Sequence, residues 1–179
     1  LPQTIRVTAV EHAPPGFDAC GSATGKTYRY RIWRGRELDP FEADRCWHVH
    51  GALDTAALDA GAALLTGTHN FARLSANRGD MPEEQRRADV AGCTRTLRRL
   101  AWREHGGNLE FSIEGDAFLY RMARMLVGSL IHVARGRDPV DWLAELLQTP
   151  HGPQSHQTAP AGGLYLDRVW YGQAQRPNR

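Results

Sequence analysis

Apolar and polar residues recur with two different periods along the 179-residue chain, and the switches between them divide it into elements. Period two appears first at Ile5 to Val10, where branched and polar residues alternate until Ala13-Pro14-Pro15-Gly16, and predicts a strand. A stronger strand is predicted over Lys26 to Trp33. Tyr28, Tyr30 and Ile32 share one face and Thr27, Arg29, Arg31 and Trp33 the other, so one side is aromatic and the other largely cationic. Period 3.6 takes over after Asp54, which is placed to cap a helix burying Leu58, Gly61, Ala62 and Leu65, before Thr66-Gly67-Thr68-His69-Asn70 breaks the pattern. The polar stretch from Ser75 to Asp89 predicts a mobile loop. Thr94 to Arg103 and Leu109 to Glu114 predict two strands, joined as a hairpin at Glu104-His105-Gly106-Gly107-Asn108.

Residues 117 to 137 predict a mostly buried helix that ends near Gly136. Its polar positions Arg121, Arg124, His132 and Arg135 fall on one stripe about 80° wide, with Gly128 in the middle. A glycine costs about 1 kcal/mol of helix propensity relative to alanine, but it lets another backbone or a ligand come close. The segment holds arginines and no acid, so an anionic partner must come from elsewhere. The stripe is either a solvated edge with snorkelling side chains or the lining of a cleft, with an arginine clamped to a carboxylate or phosphate. Asp138-Pro139 then predicts an N-cap and first position of a further helix with Trp142, Leu143, Leu146 and Leu147 on its buried face. A Pro/Gly/Gln-rich loop from His151 to Gly163 leads to a final strand, Leu164 to Tyr171. Strand pairs alternating with single helices predict an α+β fold, an antiparallel or mixed sheet with helices packed on one side.

Composition narrows the classes. With 41% apolar residues the chain can bury one core, and no run is long enough to cross a bilayer, which predicts a soluble globular domain without membrane attachment. A net charge of +2 neither demonstrates nor excludes nucleic-acid binding. Lys26 is the only lysine among 22 basic residues, and arginine is the better side chain for bidentate recognition of phosphate, although coding bias gives the same count. Cys20, Cys46 and Cys93 are odd in number and widely spaced, which fits a reducing cytoplasm.

Cys46, His48 and His50 alternate and could share a strand face as metal ligands, but no second ligand pair at suitable spacing accompanies them, so no metal site is assigned. No serine sits in a nucleophile elbow and no Gly-rich phosphate loop precedes a helix. What remains is the aromatic strand around Tyr28 and the arginine stripe around Arg124. That pairing suits a flipped nucleobase, while core packing of Tyr28 and Tyr30 stays open.

Five stretches, taken in order, resemble the C-terminal part of the TruA-type tRNA pseudouridine synthases. They are Phe17-Asp18-Ala19 with Ser22 to Tyr30, Leu65-Thr66-Gly67-Thr68-His69-Asn70-Phe71, Thr94-Arg95-Thr96-Leu97, Ala117 to Leu130, and Ala159 to Leu166. The resemblance implies a pseudouridine-synthase-like fold. It also implies isomerisation of uridine to pseudouridine in the tRNA anticodon stem-loop, just 3′ of the anticodon (positions 38–40), by a cytoplasmic homodimer without metal or organic cofactor. By the motif match Tyr28 would stack on the target uracil, Arg124 would pair with the catalytic aspartate, and Leu164 would pack beside the base. Arg95 would help position RNA or support the site, and Arg121, with His132 and Arg135, would be a flanking or RNA-facing residue. Two departures stand out. Cys20-Gly21 replaces an arginine and a bulky residue, and no segment matches the family's Gly-Arg-Thr-Asp-Ala-Gly-Val-His stretch, which holds the nucleophile. The chain is therefore expected to be one domain, the C-terminal half of such an enzyme, with a disordered tail from about residue 172. Leu1-Pro2-Gln3-Thr4-Ile5 resembles the middle of a family member, so truncation is the expected reason for the missing aspartate. The alternative is a tRNA-binding module without catalysis.

Overall fold

The computed structural model describes residues 1–76 and 90–172. Most of the predicted loop from Ser75 to Asp89, and all but the first residue of the predicted tail, therefore lie outside the described residues.

The fold is α+β, and its organising element is β1 (Gly25–Trp33). On one edge β1 pairs antiparallel with β5 (Asn108–Gly115), placing Tyr28 opposite Ile113, Tyr30 opposite Phe111 and Ile32 opposite Leu109. The other edge is shared. β6 (Leu164–Trp170) runs antiparallel along Gly25 to Tyr30, and the short β2 (Trp47–His48) pairs parallel with Ile32 and Trp33. Beyond β5 come β4 (Thr94–His105) and then β3 (Gly67–Asn70), both antiparallel, completing a six-stranded sheet.

The β4–β5 hairpin follows from two residues. Gly106 and Gly107 both take positive φ, 58° and 75°, between the paired His105 and Asn108. A two-residue turn of that kind matches the twist of its strands and costs other residues strain that glycine avoids. Each strand runs one or two residues beyond the predicted ends, because the pairing continues to the turn itself.

Three helices pack on one face of the sheet: α1 (Thr55–Leu65), α2 (Met122–Ala134) and α3 (Asp141–Gln148). The Asp54 carboxylate accepts the Ala57 N–H at 3.1 Å, and the buried side of α1 is Leu58, Gly61, Ala62 and Leu65, as its spacing predicts. These residues join Tyr30, Phe111, Ile113, Leu126 and Leu130 in one core. Each fully buried leucine or phenylalanine there contributes about 1.5–3 kcal/mol relative to an exposed one. Leu143 and Leu146 anchor α3 to this core, with Trp142 and Leu147 half-buried beside them.

Three expectations are corrected. Ile5 to Val10 forms no strand; Ile5, Val7 and Val10 are 48%, 62% and 87% exposed, and none of the described strands pairs with them. Alternation says which side of a strand would be buried, and it cannot supply a partner edge. The helix predicted from residue 117 begins at Met122 instead. The Tyr120 carbonyl accepts the Ala76 N–H at 2.9 Å rather than a helical donor, and Arg121 takes a left-handed conformation at φ 59°. Finally, Asp138 does not cap α3, whose first residue is Asp141. Its carboxylate is engaged by His132 of α2, Nε2 to Oδ2 2.6 Å, and is no longer free for the cap.

Candidate active site

The register of β1 decides which of its side chains reach the helices. Tyr28 and Tyr30 both point inward, yet they end in different surroundings. Tyr30 is fully buried and its hydroxyl donates to the Pro160 carbonyl at 2.7 Å. Burial holds its pKa well above the ordinary tyrosine value, and the nearby Arg124 cation offsets only part of that. Tyr28, one pleat closer to the strand start, is half-buried, and its hydroxyl donates to no described residue. Desolvation raises its pKa too, so the phenol stays neutral through the physiological range. Its ring stands edge-on to Phe118, with centroids 4.9 Å apart and planes at 84°.

Arg124 lies in the first turn of α2 and is tied to the loop that precedes β6. Its Nε donates to the Ala159 carbonyl at 2.7 Å, while the Ala159 N–H donates back to the Arg124 carbonyl at 3.1 Å. The two terminal guanidinium nitrogens bond to no described residue, and no described acid forms an ion pair with Arg124. One side of the guanidinium is thus fixed and the rest is available to a bidentate anion.

The loop crosses α2 at Gly128. A Cβ there would lie 2.2 Å from the Gln157 carbonyl oxygen and 2.9 Å from the Ala159 nitrogen, which leaves room for hydrogen alone. Hence the middle of the arginine stripe is neither solvated nor open to a ligand: backbone covers it. Ser129 and Ser155 close a buried hydroxyl pair at 2.9 Å beside this crossing. Further back, Arg73 is 4% exposed and donates to the Pro153 carbonyl at 2.6 Å and to the Thr149 hydroxyl, so the loop is held at both ends. Sequence reasoning passed over Arg73, since its partners lie more than seventy residues away. The glycine within the polar stripe was the available signal for the loop.

Tyr28, Arg124 and Leu164 come from three separate stretches and line a single cavity of about 60 Å³, with Phe118, Leu119, Arg121, Met122 and Ala123 completing its walls. No aspartate or glutamate lines it. Of the residues predicted from sequence, Arg95 alone lies elsewhere. It sits on β4 opposite His69, with its Nη1 donating to the carbonyls of Gly92 and Thr94 at 2.8 and 2.6 Å. Cys46, His48 and His50 do not converge as a ligand set: the Cys46 thiol donates to the Glu42 carbonyl and His48 Nε2 engages the Gly35 carbonyl at 2.8 Å. Among the described residues no three metal-ligating side chains come together.

A family described as tRNA pseudouridine synthase matches residues 62–172, a span that includes Arg95, Arg121, Arg124 and Leu164. The chain belongs to this family. Similar proteins named tRNA pseudouridine synthase A extend the match to the segment that carries Tyr28. That of Akkermansia muciniphila is 39% identical over 172 residues, covering 96% of this chain and 64% of its own length. That of Methylacidiphilum infernorum is 36% identical over 171 residues with the same coverage, and that of Geobacter sulfurreducens 36% over 174 residues, 94% of this chain and 66% of the relative. The chain therefore spans just under two thirds of the length of these pseudouridine synthases. None of its described helices is long and apolar enough to cross a membrane.

Proposed function

We propose that this chain is the stacking and orienting half of an enzyme that isomerises uridine to pseudouridine in the tRNA anticodon stem-loop, just 3′ of the anticodon. The observation that carries the reading is the convergence of Tyr28, Arg124 and Leu164 on one cavity. In the reaction the N1–C1′ glycosidic bond breaks, the detached uracil turns, and a C5–C1′ bond forms while the C5 proton is lost and N1 regains one. Tyr28 offers a neutral ring face to the uracil, and Leu164 closes the opposite apolar side. Arg124, anchored by Ala159, pairs with the attacking aspartate and keeps it ionised and oriented. That aspartate comes from polypeptide outside these 179 residues. Arg121, at the cavity wall, and Arg95, further along the sheet, contact the RNA backbone. The chain acts as one domain within a cytoplasmic homodimer, with the RNA crossing both subunits and no cofactor taking part.

The test is conversion of tRNA by the complete gene product. Arg124→Ala is expected to lower kcat/KM at least a hundredfold while the fold survives, and residues 1–179 alone should not turn over. Near-parental conversion by that variant would mean that the guanidinium serves another purpose. The lack of any acid in the cavity also supports a second reading, a tRNA-binding module without catalysis. Binding without any conversion by the complete gene product would select it.

A further inference from the structure

Tyr120 and Arg121 stand between β5 and α2, where Arg121 lines the cavity and Tyr120 precedes it, and their conformation is not the one their sequence favours. Among the described residues Arg121 is the only non-glycine with positive φ, at φ 59° and ψ 2°. On a continuous helix, adjacent side chains diverge by about 100° and do not face each other. The left-handed residue removes that divergence, and the Arg121 guanidinium lies over the Tyr120 ring, 5.2 Å from its centroid. Tyr120 is held from behind by the Ala76 N–H on its carbonyl, while its side chain leaves the residue 43% exposed. Neither side chain has another partner among the described residues. Arg121 also lines the cavity that holds Tyr28 and Arg124, so this exposed aromatic and this uncommitted cation adjoin the uracil pocket.

We infer that Tyr120 and Arg121 form a subsite for the nucleotide adjacent to the reacting uridine, its base stacked on the free face of Tyr120 and its phosphate paired with Arg121. The inference rests on the reading of the cavity as a uridine pocket. A flipped nucleotide leaves its neighbour without a stacking partner on one side, and an aromatic ring at the pocket mouth replaces it. Stacking of this kind tolerates any base, so the subsite fixes the path of the strand and leaves sequence choice to other contacts. The backbone strain at Arg121 keeps ring and cation together before RNA arrives.

The experiment uses the complete gene product and fluorescent anticodon stem-loop RNA in three forms: intact, abasic on the 5′ side of the target uridine, and abasic on its 3′ side. Tyr120→Ala is expected to weaken binding of the intact RNA about tenfold and Tyr120→Phe less than twofold. On one of the two abasic RNAs the parent and Tyr120→Ala should bind alike. Arg121→Gly, which keeps the left-handed backbone without the guanidinium, should weaken binding and flatten its salt dependence by about one phosphate contact. Equal loss on all three RNAs, or no loss on any, overturns the subsite. Conversion is scored separately in the same samples. RNA bound by the parent but never converted refutes the isomerase reading, while the base-dependent loss at Tyr120 still decides the subsite.

Discussion

Gly128 shows how little freedom some single positions retain. Alanine would normally stabilise a helix interior by about 1 kcal/mol over glycine. Here the new methyl would meet the backbone of Gln157 and Ala159, which cannot move aside as a flexible side chain could. Gly128→Ala is therefore expected to destabilise the protein by about 1–3 kcal/mol, read as a lower urea midpoint, despite its better propensity. A stabilised variant would show that the loop does not lie on α2. The tyrosines set a pH limit of their own. Both Tyr28 and Tyr30 have pKa values raised in the fold, chiefly by desolvation, from an ordinary value near 10.0. Their contribution is complete below that value and is lost as pH rises above it, because the unfolded chain releases protons the fold must keep. Stability should fall steadily above about pH 10, and Tyr30→Phe should flatten the decline even though it leaves the Pro160 carbonyl without its donor. An unchanged alkaline slope in that variant would place the proton release elsewhere.

Elements were legible in proportion to how local their causes are. The faces of β1, the Gly106-Gly107 turn and the Asp54 cap each depend on neighbours within a few residues, and each could be read from the chain. The start of α2 depends on Ala76 reaching the Tyr120 carbonyl, forty-four residues away in sequence, and the start of α3 on His132 capturing Asp138. The second spans only six residues, but it competes with the equally local cap that Asp138-Pro139 offers, and spacing does not say which wins. No local pattern encodes the first. The same holds for the loop before β6. Its composition announced irregular structure, but its attachment to Arg73 and Arg124 is tertiary. Arg73→Met should expose this dependence. Removing the buried guanidinium leaves the Pro153 carbonyl without its donor and Glu145 without its cation, while the Thr149 hydroxyl keeps its bond to the Glu145 carbonyl; the cost is about 1–3 kcal/mol, and proteolytic cleavage between residues 149 and 160 should speed up. Cleavage at the parental rate would mean that the loop is held by its other contacts.

At the scale of the whole molecule, the chain is nearly neutral, yet its charge is unevenly arranged. The face of the sheet away from the helices carries Arg29, Arg99, Arg103 and Arg168 around a groove of about 460 Å³, and Glu110 and Asp167 neutralise part of it. Arg29 pairs with Asp167, and Arg103 with Glu110. The cavity on the helical side holds two arginines and no acid. RNA affinity of the complete gene product should therefore depend on salt through few contacts from this chain. Arg121→Ala is expected to reduce the slope of log affinity against log salt by about one, and adding Arg124→Ala, whose guanidinium pairs with a carboxylate, to change it little further. A larger drop would show that Arg124 also meets a phosphate. The architecture itself was largely readable, since strand and helix periods fix the layers. The assembled cavity was not, because it needs three stretches brought together by the packing of α2 on the sheet.

The β1–β6 ladder has an irregularity whose meaning goes beyond pairing. Thr27 faces Arg168 and Tyr28 faces Leu166, so Asp167 is an extra residue between two matched rungs. Before it, Leu164 and Leu166 stand opposite Tyr30 and Tyr28, and Leu164 lines the cavity. After it, the parity is reversed and Arg168 returns to the outer side, where it stacks over Trp170 at 4.9 Å. Asp167 thus works as a phase joint, letting one seven-residue strand turn Leu164 toward the cavity at its beginning and a cation to the opposite surface near its end. Loss of that single residue would take a carboxylate from Arg29 and turn half the strand inside out.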